Sequence, residues 1–279
     1  MSTPRQHLSR RTTVGAVVLT AAAAATLVAG PGAFAAPAAK TPPKPTIVLV
    51  HGAWADPSSF APVTALLQHD GYLVLNEPNP LRGLASDTAY LTSFLEQRTS
   101  GPVVLVGHSY GGAVITDAAL SDPDVKALVY VDAFAPAKGE SVLDLVGSVP
   151  GAPPATDLFD FVKYPAAKND YDLYLKRPVF LQAFASGLPA RQAQELGASQ
   201  TPVTAGALSE PSTAPAWTTL PSWYVLGTDD QIIAPFLERR MASRAHSHIT
   251  TVDSGHLSLL THPALVTRVI EQAVARVAR

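Results

Sequence analysis

The stretch PVVLVGHSYGGAVITDAAL, residues 102–120, decides how this chain is built. Its first part, PVVLVG (102–107), is an unbroken apolar run, the mark of a strand buried on both faces. From about Gly111 to Leu120 the residues are the small and apolar ones of a helix packed on that strand. Between them, Gly107-His108-Ser109-Tyr110-Gly111 reads as G-x-S-x-G in a strand–turn–helix setting. Glycines two before and two after the serine remove side chains that would collide in so tight a turn. The turn lifts Ser109 above the sheet edge, at a helix N-terminus where free amides and the dipole favour developing negative charge. Ser109 is therefore the candidate nucleophile.

The same alternation continues on both sides of this unit. TIVLV (46–50), GYLVLNEP (71–78) and KALVYVDAF (126–134) read as strands, as do PSWYVLG (221–227) and HITTVD (248–253). Helices are expected over 58–70, 84–98, about 236–245 and 263–278. Apolar strands separated by amphipathic helices predict an α/β fold, a mostly parallel sheet with helices on both faces. Residues 136–217 break the pattern, being rich in Pro, Ala and Ser, with helical pieces such as YDLYLKRPVFLQAFASG and no clear strand. A span of about 80 residues is too long for a plain connection, so an inserted helical cap is expected there. The fold domain as a whole runs over 46–279.

The N-terminus is different material. Arg5, Arg10 and Arg11 precede the apolar run VGAVVLTAAAAATLVAG and the small-residue site Ala33-Phe34-Ala35. This is the pattern of a secretory signal peptide over 1–35, which predicts a secreted protein cut after Ala35. Ser9-Arg10-Arg11 suggests the bacterial twin-arginine route, whereas Thr13 stands where that signal usually carries Phe, so the general secretory route stays open. The apolar run, about 17 residues, is short for a membrane span, and no stable membrane association is expected after cleavage. Residues 36–45 form a Pro/Ala-rich leader. Cleavage removes three of the 20 Lys and Arg, leaving 17 against 22 Asp and Glu, a net charge of −5. With no basic patch, nucleic acid is not an expected partner. The chain has no cysteine, which excludes disulfides, thiolate catalysis and Cys-based zinc sites. Neither metal-ligand spacing nor a phosphate-binding loop occurs, so no metal or cofactor is implied.

A serine hydroxyl needs a base. Of His51, His69, His108, His246, His248, His256 and His262, His256 in VDSGHLSLL lies between a strand and the last helix, in a loop able to face the same sheet edge. His262 beside Pro263, and His246 and His248 flanking a strand start, read as surface residues. His108 is expected to point away across the turn. The histidine needs an acid to orient it: GTDDQIIAP (227–235) offers Asp229 and Asp230 after a late strand, and VYVDAF offers Asp132 after an earlier one.

Taken together, the strand followed by His51-Gly52-Ala53-Trp54, then GHSYGG, GTDDQIIAP and SGH, resemble the α/β-hydrolase superfamily. Within it they are most similar to the small serine esterase and hydroxynitrile-lyase-like branch, over essentially all of 46–279. The resemblance implies a Ser109–His256–Asp230 triad, with the acid three residues after the glycine and Asp229 left as a loop residue. It implies an oxyanion hole from the backbone amides of Ala53 and Tyr110, with Trp54, next in line, at the substrate, and His51 as a structural residue beneath the loop. Lyases of this branch carry a threonine in the oxyanion loop and a lysine after the catalytic histidine. Gly52 and Leu257 stand there, so a cyanohydrin would lose its polar partners. A dehalogenase would have aspartate in place of Ser109. The expected activity is that of a serine carboxylesterase on small to medium esters, with cofactor-free perhydrolysis or a catalytically silent binding role as the alternatives. Phe159, Phe161, Tyr171, Tyr174, Phe180 and Phe184 are candidates to line an acyl or alcohol pocket or to pack the cap.

Overall fold

The computed structural model describes residues 44–277 apart from Ala166 and Lys168. The expected signal peptide and all but the last two residues of the leader lie outside the described residues. Among the described residues no helix is long and apolar enough to cross a membrane.

The strands are β1 (Thr46–Val50), β2 (Val74–Glu77), β3 (Val103–Ser109), β4 (Val125–Ala133), β5 (Phe159–Val162), β6 (Asp172–Leu175), β7 (Val203–Thr204), β8 (Ser222–Gly227) and β9 (His248–Val252). Six of them form one sheet in the order β2-β1-β3-β4-β8-β9, every neighbouring pair parallel. All seven residues of β3 are buried, as a central strand covered on both faces requires. Helices α1 (Ala61–His69), α2 (Leu84–Arg98) and α3 (Tyr110–Ala118) follow β1, β2 and β3. α2 packs with α3, and α1 packs with the last helix, Pro263–Val277. From β1 the chain steps outward to β2 and then back past β1 to β3, so the strand order reverses between β1 and β3. Ligand crevices of open α/β sheets lie at such a switch point, outside the carboxyl ends of the strands, and both Ala53 and Ser109 sit there.

The insertion between β4 and β8 departs from the expectation of helices alone. It contains short helices, among them Val142–Gly147 and Ala190–Ala198, and also a three-stranded antiparallel sheet, β5-β6-β7. Asp172–Leu175, read from sequence as the start of a helix, is the middle strand. Leu173 and Leu175 are buried and Tyr174 between them is half-buried, the alternation of a strand. Helix begins only at Arg177-Pro178, where proline is tolerated in the first turn. The cap is tied to the rest of the domain by polar contacts that range from buried to half-exposed. Trp54 Nε1 donates to Leu173 O at 2.9 Å, and Arg82 pairs with Asp172 at 2.6 Å. Arg244 donates to both oxygens of Glu140 at 2.7 Å.

Candidate active site

Ser109 is the last residue of β3, with φ 52° and ψ −124°, and α3 begins at the next residue. A non-glycine residue at positive φ stores about 1–3 kcal/mol of strain that the surroundings must hold in place. The two flanking glycines show what holds it. A Cβ on Gly107 would come within 2.7 Å of Gly111 O and of the Gly112 backbone. One on Gly111 would collide with Val50 O, so α3 can approach the end of β1 only without side chains there.

The structure brings Ser109, His256 and Asp230 together. His256 Nε2 lies 2.9 Å from Ser109 Oγ, and His256 Nδ1 lies 2.6 Å from Asp230 Oδ2. A carboxylate only accepts, so Nδ1 carries the proton and Nε2 is left to accept from the serine hydroxyl. Asp230 Oδ1 is fixed by the amides of Ile232 at 2.7 Å and Ile233 at 2.9 Å. The rival acids have other partners. Asp132, at φ 44°, accepts from Gly227 N and Ser258 N, both at 3.0 Å, and so ties the end of β4 to the loops that carry Asp230 and His256. Burial, followed by the nearby Asp230, pushes its carboxyl up to about 7. Asp229 is exposed, and its carboxyl is raised by the hydrogen-bonded Asp253 carboxyl beside it.

His108 departs from the expectation that it points away. Its ring is buried 4.9 Å from that of His256, and its Nε2 lies 3.0 Å from His256 O. A carbonyl needs a donor, so Nε2 carries the proton, and burial holds the ring neutral, well below the usual histidine range. In a strand the side chain alternates faces, and the face His108 takes is the one on which the His256 loop lies. His51 is buried, with Nδ1 2.9 Å from Gly52 O, and its own carbonyl accepts from Asn79 Nδ2 at 3.0 Å. His246, at positive φ, and His248 are exposed, and His262 Nδ1 contacts Thr261 Oγ1.

Ala53 and Tyr110 line one cavity with Ser109. Tyr110 is the first residue of α3, where an amide has no carbonyl one turn back to bond. Its phenol donates to Asp87 at 2.9 Å, which fixes the first turn of α3 against α2. Gly52 packs so tightly on the serine that an added Cβ would sit 2.5 Å from Ser109 Cβ. Trp54, at φ 59°, stacks on Phe159 at 5.5 Å and lines the cavity while its indole N–H is spent on the cap.

The cavity above Ser109 has a volume of about 260 Å³. Of the six cap aromatics considered from sequence, only Phe159 lines it. Phe180 and Phe184 are buried in the core, Phe184 with its ring 5.3 Å from that of His256, and Phe161 is exposed. Aliphatic side chains supply the wall instead: Val142, Val146, Val149, Leu158, Leu175 and Val179. The signal that could have found them is the apolar spacing Val142-Val146-Val149. It begins with a capping box, Ser141 and Asp144 bonding each other's backbone amides.

A model of the alpha/beta hydrolase family matches residues 47–269. The chain is 29% identical over 255 residues to the alpha/beta hydrolase nvfD of Aspergillus novofumigatus, covering 82% of this chain and 96% of that protein. It is 33% identical over 149 residues to the carbendazim hydrolyzing esterase of Nocardioides sp., covering 49% of this chain and 61% of that one. Among solved structures, the pyrethroid hydrolase PytH superposes with a TM-score of 0.66 at 22% identity, covering 84% of this chain and 99% of that one.

Proposed function

The chain belongs to the alpha/beta hydrolase family and is a hydrolase of the esterase type, and from that premise we propose a secreted serine carboxylesterase acting on small to medium, uncharged, apolar esters. The observation that carries this reading is the hydrogen-bonded series from Ser109 Oγ through His256 to Asp230, opening on an apolar cavity of about 260 Å³. Ser109 Oγ attacks the ester carbonyl as its proton passes to His256 Nε2. The amides of Ala53 and Tyr110 receive the developing oxyanion. Asp230 keeps the imidazole in the tautomer that can accept a proton and stabilises the imidazolium that forms. His256 then protonates the leaving alcohol, an acyl group remains on Ser109, and water deprotonated by the same nitrogen releases the acid.

The cavity wall supports the substrate class. Apart from Asp230 its lining residues carry no formal charge, so a charged acyl or alcohol group would shed its hydration with no ion to replace it. The names of the Nocardioides esterase and the pyrethroid hydrolase point the same way. Ser109→Ala should lower kcat on aryl esters by about 10⁴–10⁶-fold, and undiminished turnover would sink the assignment. Export rests on the arginine-led apolar run and Ala33-Phe34-Ala35. Protein from the culture medium should begin at Ala36, and an intact Met1 there would contradict cleavage.

A further inference from the structure

Behind Asp230 lies a carboxyl group that the mechanism above does not use. Glu238, the fourth residue of the helix Pro235–Arg244, is fully buried. Oxygens of Glu238, Asp132 and Asp230 all lie within 4.8 Å of one another. Three ionised carboxylates that close, away from water, would repel one another strongly. The hydrogen bonds decide which of them is neutral. Asp230 accepts from two amides and from His256, and Asp132 accepts one amide on each oxygen. Among the described residues, neither oxygen of Glu238 accepts a bond from any N–H or O–H group.

We propose that Glu238 is protonated in the folded protein and donates its hydroxyl to Asp230, which makes it the positioning residue for the acid that holds His256. The inference rests on reading Asp230 and His256 as the catalytic pair. An ionised carboxylate without a donor is the costliest arrangement available in this cluster, whereas a carboxylic acid needs only one acceptor. Burial comes first among the causes that push the Glu238 carboxyl well up, then the charges of Asp230 and Asp132.

The charged groups around it are consistent with this proton. Asp230 faces Glu238 from the loop after β8 and Asp132 from the end of β4, and both are acids. Tyr224 on β8 spends its phenol proton on Ala133 O. Arg239 and Arg240, next in the chain, are exposed. The backbone amide of Glu238 is bonded to Ala234 O at 3.1 Å, so the side chain caps nothing. A donated hydrogen bond from a neutral acid steadies the Asp230 carboxylate without placing a second negative charge beside the Asp230–His256 pair.

Two variants of the full-length mature enzyme test it. Glu238→Gln keeps the shape and an N–H donor. Its pH profile of kcat/KM should superimpose on that of the parent, while infrared difference spectra should show the parent's protonated-carboxyl stretch, above the amide bands, missing from the variant. Glu238→Leu removes the donor. Asp230 then binds the imidazolium proton more strongly, so the acid limb should move to higher pH, with kcat down about 10- to 100-fold and KM unchanged. The proposal is overturned by absence of the infrared band. It is also overturned if the acid limb of Glu238→Gln falls by about one pH unit, the effect of deleting a real negative charge. A change in the parent's profile on EDTA treatment would replace the proton by a cation. A Glu238→Leu protein that melts lower but keeps its acid limb would reduce the residue to packing. The infrared band is read without turnover, so it stands or falls separately from the catalytic assignment, which Ser109→Ala tests.

Discussion

Asp230→Asn is the most informative single change, because the structure dictates how the new side chain must sit. Asp230 Oδ1 accepts two backbone amides, from Ile232 and Ile233, while Oδ2 faces one proton, on His256 Nδ1. Asparagine has one acceptor oxygen and one donor group. Turning its NH₂ toward the two amides would leave buried donors facing a donor, at about 1–3 kcal/mol each. The carbonyl oxygen therefore takes the amides and the NH₂ takes His256 Nδ1. The imidazole must then carry its proton on Nε2, where it can no longer accept from Ser109. The variant should fold normally and lose about 10⁴ in kcat, roughly 5 kcal/mol of transition-state stabilisation, with KM nearly unchanged. The assay is steady-state hydrolysis of a p-nitrophenyl ester, with Asp229→Asn and Asp132→Asn measured alongside. Asp229→Asn should stay within a few-fold of the parent. Asp132→Asn leaves one of its two amide bonds unmade and should cost about 1–3 kcal/mol of stability and far less activity than Asp230→Asn. If Asp230→Asn keeps activity within tenfold, or Asp132→Asn is the more damaged, Asp230 is not the acid that orients His256.

Two further outcomes follow from the buried groups and the cavity. Glu77 is buried with no hydrogen-bond partner among the described residues, and burial, then the Asp87 charge, push its carboxyl up to about 8 from an ordinary 4.5. The folded state holds this proton more tightly than the unfolded chain. The stabilisation is thus complete below about 4.5 and is lost as pH rises to about 8, on the order of 5 kcal/mol. Denaturant titrations of Glu77→Gln should show a flatter decline over that window, and parallel curves for the two proteins would refute the assignment. Val146→Phe should fill part of the cavity above Ser109, leaving acetate esters unaffected while longer chains lose kcat/KM. Each excluded methylene forfeits about 0.8 kcal/mol, and an unchanged chain-length profile would remove Val146 from the substrate wall.

How far the sequence was legible depended on whether a residue's role was local. β3, the turn at Ser109 and α3 are contiguous, so periodicity and glycine placement exposed them together. α2 begins and ends where the pattern places it, at Leu84 and Arg98. The cap strands are four, four and two residues long, too short for alternation to register in the sequence. Glu238 stands in FLERRMASRA among exposed arginines and reads as part of a solvated face. Only the packing of Pro235–Arg244 beneath Asp230 turns it inward. His108 is hidden from sequence in the same way: its partner, His256 O, lies 148 positions away. Of the cap aromatics, Phe180 and Phe184 go to the core and Phe161 faces outward, so the valines of 142–149 rather than a set of rings face the serine.

On the proposed mechanism every turnover passes through an acyl group on Ser109. Trapping with a fluorophosphonate, followed by peptide mass mapping, reads this directly. One adduct per chain is expected, on the peptide containing Gly107-His108-Ser109-Tyr110-Gly111, and none in Ser109→Ala. An unlabelled parent protein, or an adduct that survives in Ser109→Ala, would contradict it.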